Sequence, residues 1–110
     1  MSQINFDQLF EGVLDQSKDL GKTLFRQYTT QATQDAREFL ERSRESLHKA
    51  ANLLVDGKID PDDFEDLVRG KADLAQMRAL KQAGLAKAAV DTFTTGVLNI
   101  FIDAVFAAIP

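Results

Sequence analysis

The chain has 110 residues, a mass of 12.2 kDa and a formal net charge of −4. Its length fits one domain, and a hydrophobic content of 45% excludes a disordered chain. The negative charge argues against a nucleic-acid partner, which requires a basic surface, and the absence of cysteine excludes disulfide bonds and thiolate metal sites. Residues 1–5 lack the basic start and apolar run of a secretory signal, so we expect a cytoplasmic protein.

The first half of the chain has the periodicity of amphipathic helices. Apolar residues recur at three- and four-residue steps, and Asn5 precedes the first of them as a candidate N-cap. A run of β-branched threonines weakens the pattern part-way along. We therefore expect helices over about 5–28 and 31–55, either separate or continuous. Gly12 and Gly21 fall inside the first pattern, where they mark either close helix contacts or hinges.

Charged residues of both signs lie opposite the apolar stripe of the second predicted helix. Such alternation at three- and four-residue spacing is typical of a solvated helix face, and we assign no function to it. The members of this charged ladder are Asp35, Arg37, Glu38, Glu41, Arg42, Arg44, Glu45 and Lys49.

The clearest local feature is a turn predicted at 56–60. Gly57 suits the left-handed position that ends a helix. Asp60 is a strong N-cap candidate, and Pro61 fits the first position of the helix that follows. We expect the chain to reverse here into a long antiparallel hairpin.

The second half of the chain predicts one long helix over about 61–108, because no proline interrupts it before Pro110. Small residues recur within it, mostly one helical turn apart, and would permit close approach of another helix. The predicted close-packing residues are Ala75, Ala79, Ala83, Gly84 and Ala88.

The segment 85–109 is apolar around most of a helical circumference and must therefore be buried. Its cover is its own chain, another chain or lipid. We expect another chain, because so large an apolar patch is rare on a soluble monomer, and because Asp91 and Asp103 disfavour a bilayer. The predicted interface residues are Leu85, Phe93, Val97, Leu98, Ile100, Phe101, Ile102, Val105, Phe106 and Ile109.

No constellation of residues predicts chemistry. The acids around the turn resemble part of a calcium loop, but Leu54 falls at a ligand position and Pro61 fits a helix start better. His48 is the only histidine, so zinc has no conventional ligand set and a catalytic triad has no second candidate. The glycines are isolated and form no phosphate-binding loop. We expect no enzymatic activity, no metal and no cofactor.

These observations predict an all-α protein with a single domain over 1–110, built as a helical hairpin or bundle of two or three helices and completed by oligomerisation. We expect a non-catalytic structural or assembly protein that self-associates, or joins a larger complex, through its C-terminal helix. Two alternatives stay open. One is a membrane-associated or membrane-active protein that uses 85–109, and the other is a small adaptor or chaperone that binds a partner helix.

Overall fold

The structure, a computed structural model, describes residues 4–109. Over this range the chain forms helices and no strand, so the prediction of an all-α protein is confirmed. The molecule measures 45 × 22 × 19 Å along its principal axes. Its helices are α1 (Phe6–Leu24), α2 (Thr29–Val55), α3 (Pro61–Arg69), a 3₁₀ helix (Gly70–Leu74), α4 (Arg78–Gln82) and α5 (Lys87–Ala108).

Local capping explains where two of these helices begin. The Asn5 side chain accepts a hydrogen bond from the backbone N–H of Gln8 at 3.2 Å and so caps α1. At the start of α3, Asp60 accepts from the backbone N–H of Asp63 at 2.7 Å, and Asp63 accepts in return from the N–H of Asp60 at 3.4 Å. With Pro61 at the first helical position, this reciprocal capping box fixes the chain's re-entry into helix.

The end of α2 has the hydrogen bonds of a Schellman motif. Gly57 adopts a φ of 72°, and its N–H donates to the carbonyl of Leu54 at 3.0 Å. The next N–H, that of Lys58, donates to the carbonyl of Leu53 at 2.9 Å. Glycine suits this left-handed backbone because it has no Cβ to clash. The chain therefore leaves helix after Val55.

The helix predicted over 61–108 is not continuous, which corrects the sequence interpretation. The chain is a 3₁₀ helix over 70–74 and irregular over 75–77, and it is irregular again between α4 and α5. Gly84 ends α4 with a φ of 91°, and the N–H of Leu85 donates to the carbonyl of Leu80 at 3.3 Å, as in a second Schellman motif.

A buried carboxylate on α2 fixes the start of α4. Asp35 is 2% exposed; its Oδ1 accepts from the N–H of Ala79 at 2.9 Å and its Oδ2 from the N–H of Leu80 at 2.8 Å. Met77, the residue before α4, is left-handed with a φ of 49° and offers no side-chain cap. The cap of α4 is therefore a residue more than 40 positions earlier in the chain. The sequence interpretation placed Asp35 on a solvated face, and the structure corrects this.

Four helical segments lie side by side and alternate in direction. The ring of Phe6, near the start of α1, stacks on His48 near the end of α2, with centroids 4.1 Å apart. The same ring lies 6.3 Å from that of Phe101, near the end of α5. Both neighbours of α1 are therefore antiparallel to it. The segment α3–α4 runs back beside α2 and α5, since Arg69 donates to the side chain of Asn99 at 2.9 Å.

The buried residues form one apolar cluster to which every helix except the 3₁₀ helix contributes fully buried side chains. Within it the ring of Phe101 lies near three other phenylalanine rings, 6.3 Å from Phe6, 6.1 Å from Phe10 and 6.2 Å from Phe64. Tilted and edge-to-face rings at such distances add to the stabilisation from burial. The core lies between all the α-helices, and α2 and α5 supply most of its buried residues.

Candidate interaction surface

Six of the ten predicted interface residues are buried inside the chain itself. Each of the six is at most 4% exposed. They point between α1 and α3, where their own chain supplies the cover that the sequence interpretation assigned to a partner. In this conformation they are core rather than surface, which corrects their assignment. They are Phe93, Val97, Leu98, Phe101, Ile102 and Val105.

The other four predicted interface residues retain access to solvent. Leu85, Ile100 and Ile109 are half-buried. Phe106 is 36% exposed, and its ring lies 5.7 Å from the ring of Phe64. Leu85 and Ile109 flank the two ends of α5, while Ile100 and Phe106 lie within it, so the four do not form one continuous patch.

The predicted row of small residues is not a helix face. Ala75 lies in the irregular segment before α4, Ala79 lies in α4, Ala83 and Gly84 end it, and Ala88 belongs to α5. A spacing of four places residues in a row only while the helix continues, and here the helix breaks twice.

Close helix packing occurs instead at a glycine of α1. A Cβ placed on Gly21 would lie 2.7 Å from the Cβ of Ala32 on α2 and 3.6 Å from the ring of Phe93 on α5. Gly21 thus marks a close contact rather than a hinge. A Cβ on Gly12 would meet nothing within 4 Å, so no close contact within the chain accounts for this glycine.

The polar groups that could carry chemistry have structural partners. Asp60 and Asp63 cap α3, and the His48 ring lies flat against Phe6 with an interplanar angle of 13°. Within residues 4–109 there is no group of three or more histidine, aspartate or glutamate side chains placed to hold a metal ion.

The groove between α1 and α2 is strongly charged. Arg44 forms an ion pair with Asp7 and lies 4.9 Å from the centre of the Phe10 ring. An arginine over an aromatic ring is attracted to it, so the Phe10 ring also helps to hold Arg44 beside Asp7. Further along the groove are Arg37, Glu38 and Glu41, with Lys18 facing them from α1.

The outer face between α1 and α5 has the opposite character. We call it the α1–α5 face and define it by the residues that line its two shallow grooves, of about 410 and 460 Å³. Of these residues only Asp91 is charged, against 27% of the whole chain. Depletion of charge is the compositional mark of interface cores. The lining residues are Ile4, Asn5, Gln8, Leu9, Gly12, Val13, Gln16, Leu20 and Leu24 with Asp91, Thr92, Thr95, Gly96, Asn99, Ala104, Ala107 and Ala108.

The sequence interpretation missed the contribution of α1 to this face. A signal was present, because the lining residues of α1 recur at three- and four-residue steps and none of them is charged. The sequence interpretation counts only the apolar ones, Leu9, Val13, Leu20 and Leu24, in a stripe and assigns the polar ones to no face.

One helix among the described residues, α5, is long and apolar enough to cross a membrane by length and composition. Eight of its 22 residues are buried in the folded chain. A core helix of a soluble protein has the same properties, so this feature alone does not separate burial in protein from burial in lipid.

Comparisons with family models, curated proteins and solved structures gave no match.

Proposed function

We propose that this chain is a non-catalytic helical assembly protein that self-associates or serves as a subunit of a larger complex. The observation that supports this proposal is the low charge of the α1–α5 face. The chain carries a net charge of −4, and the groove between α1 and α2 is lined by many charged side chains. A face with so few charges can be desolvated at a lower cost than a strongly charged one.

The exposed apolar side chains add to this support. Leu24 is 40% exposed on the α1–α5 face, where Ile4, Leu9 and Leu20 are half-buried. Isolated apolar side chains at a surface are ordinary. Their combination with low charge, amides and hydroxyls along one face is typical of an interface that another protein covers.

The test is the mass in solution, measured by light scattering on a sizing column with and without mild detergent. A defined oligomer that detergent does not change supports the proposal. A monomer at every concentration up to the millimolar range, with no partner recovered, contradicts it.

Association with a membrane is the second candidate, supported by the length and composition of α5. Insertion of α5 would remove its buried residues from the core and place Asp103 in or near the bilayer, at a cost of several kcal/mol. We therefore rank this candidate below assembly. Flotation with neutral and anionic vesicles tests it, since a protein that stays at the bottom of the gradient with both does not bind lipid.

A further inference from the structure

Resting on the proposed function, we infer that this chain self-associates by exchanging α5 between two copies. In the exchanged dimer the connection between α4 and α5, residues 83–86, straightens into helix, so that α4 and α5 become one continuous helix. The α5 of each copy then packs into the bundle of the other copy. Because the copies are identical, the buried face of α5 meets the same side chains in the dimer as in the single chain.

The fit between α5 and the rest of the chain does not depend on the connection. Phe93 of α5 lies against the backbone of Gly21 on α1, and the ring of Phe101 lies 6.3 Å from that of Phe6. The four residues of the connection are exposed or half-buried and contribute nothing to the buried core. A second copy therefore offers α5 a surface of the same shape, and only residues outside the core have to change conformation.

Of the two connections that contain a left-handed glycine, only this one can become helix. Gly57 and Gly84 have φ angles of 72° and 91°. Gly57 is followed by the capping residue Asp60 and by Pro61, and proline prevents a helix from continuing through this turn, since it has no N–H and its ring clashes with the preceding turn. Residues 83–86 are Ala, Gly, Leu and Ala, among which only the glycine is a poor helix former.

Two other connections lack proline, but each has a side chain fixed in the core. Phe25, between α1 and α2, is 7% exposed, and its ring lies 5.8 Å from that of Phe93. Met77, before α4, is 3% exposed. Straightening either connection would withdraw an apolar side chain from the core, whereas straightening 83–86 withdraws none. The hinge of the exchange is therefore 83–86.

The start of α5 also favours a continuous helix. Its N-cap residue, Ala86, provides no side-chain acceptor, and its first turn contains no acid. By contrast, Asn5 caps α1, Asp60 caps α3, and Asp35 supplies the cap of α4. In a continuous helix the first N–H groups of α5 donate to carbonyl groups of the connection instead of to water. Short connections of this kind are typical hinges of exchanged dimers.

Two variants of the connection should shift the equilibrium in opposite directions. Gly84→Ala places a Cβ on a left-handed backbone in the single chain and raises the helix propensity of the straightened connection, so it favours the dimer. Ala86→Pro suits the single chain, where Ala86 has a φ of −64°, close to the angle that proline imposes. In the dimer the same proline would lie inside a helix and break it, so it favours the single chain.

Sedimentation equilibrium of the full chain measures the dimer dissociation constant, after refolding from urea at each concentration so that α5 can exchange. Each dimer contains two connections. We therefore expect Gly84→Ala to lower the constant about a hundredfold or more and Ala86→Pro to raise it about a thousandfold or more. Gly57→Ala is the control, because it strains a left-handed glycine outside the connection and should lower stability without changing the constant. Circular dichroism confirms that each variant folds.

An engineered disulfide distinguishes exchange of α5 from dimerisation through an outer surface. The chain has no cysteine. A Cβ on Gly96 of α5 would lie 3.6 Å from the Cγ of Leu20 on α1, so Leu20→Cys with Gly96→Cys brings two sulfurs within bonding reach. In the exchanged dimer this pair joins two chains, and non-reducing denaturing electrophoresis should show covalent dimers. The control is Gly21→Cys with Ala32→Cys, which joins α1 to α2 and should leave single chains in either form.

Three outcomes overturn the inference. A dimer in which the cysteines at 20 and 96 join residues of one chain, or a dimer that Ala86→Pro leaves intact, contradicts exchange but not the proposed function. If Gly84→Ala lowers stability as Gly57→Ala does and leaves the dissociation constant unchanged, the connection is not the hinge. A wild type that stays monomeric at every concentration contradicts both the inference and self-association.

Discussion

Replacement of Asp35 tests how this chain holds its interrupted second half in place. The carboxylate is buried and accepts two backbone hydrogen bonds that begin α4. In Asp35→Ala, the N–H groups of Ala79 and Leu80 lose both acceptors. In Asp35→Asn, one oxygen remains, but the amide NH₂ faces an N–H donor and the negative charge near the positive end of α4 is lost.

The cost follows from the burial of these groups. A hydrogen bond to a charged group contributes about 1.5–3 kcal/mol, and leaving a buried donor unpaired costs about 1–3 kcal/mol. Alanine returns about 0.5 kcal/mol through its higher helix propensity. We expect Asp35→Ala to lower the free energy of unfolding by about 3–4 kcal/mol and Asp35→Asn by about 2 kcal/mol. The melting temperature of Asp35→Ala should fall by roughly 13–17 °C.

Urea unfolding followed by circular dichroism measures these values, with Asp15→Asn on the exposed side of α1 as the control. Hydrogen exchange provides the local readout, because the amides of Ala79 and Leu80 should lose protection well before those of α1. If Asp35→Ala unfolds within 1 kcal/mol of the wild type, or these two amides keep their protection, the carboxylate does not anchor α4.

Three further predictions concern packing and charge. Gly21→Ala places a methyl group 2.7 Å from one on α2, so urea unfolding should show a net loss of about 1 kcal/mol, whereas Gly70→Ala, in open space, should cause none. Phe101→Ala removes a 1% exposed ring and should cost about 3–5 kcal/mol in the monomer; an unchanged monomer that merely fails to associate would contradict its place in the core. Asp91 raises the pKa of Lys87 by hydrogen bonding and charge attraction, so this exposed pair stabilises the fold below pH 10.5 and loses that effect as the pH rises further. Melting curves of Lys87→Gln should differ little from the wild type at pH 7 and not at all above the raised pKa.

Local sequence signals predicted the features that depend on neighbouring residues. The N-cap Asp60 and the left-handed Gly57 arise from side chains and backbone within a few positions. The same kind of signal was present at Gly84, a glycine followed by the apolar Leu85 at the end of a helix, and it marks the end of α4. The sequence interpretation did not use this signal at Gly84, because the apolar periodicity of the second half of the chain indicated one continuous helix.

The start of α4 had no such local signal. Its cap is Asp35, on another helix, and Met77 before it has neither a capping side chain nor the glycine that a left-handed backbone favours. The helical periodicity of a sequence indicates which face of a helix is buried, but it does not predict a hydrogen bond between residues so distant in sequence. The break therefore had to be found in the structure.

The candidate surface shows the same division between local and tertiary information. The apolar circumference of α5 predicted burial, but not which element supplies it, and Phe93 and Phe101 are covered by α1 and α3 of their own chain. The face that stays open depends on how α1 lies against α5.

The central claim is that the chain assembles through protein contacts, and its mass in solution tests this claim most directly. Light scattering on a sizing column, over a range of concentrations and with and without mild detergent, should give a defined multiple of 12.2 kDa that detergent leaves unchanged. A mass of one chain at every concentration with no partner protein recovered, or a defined mass only in detergent, would contradict it.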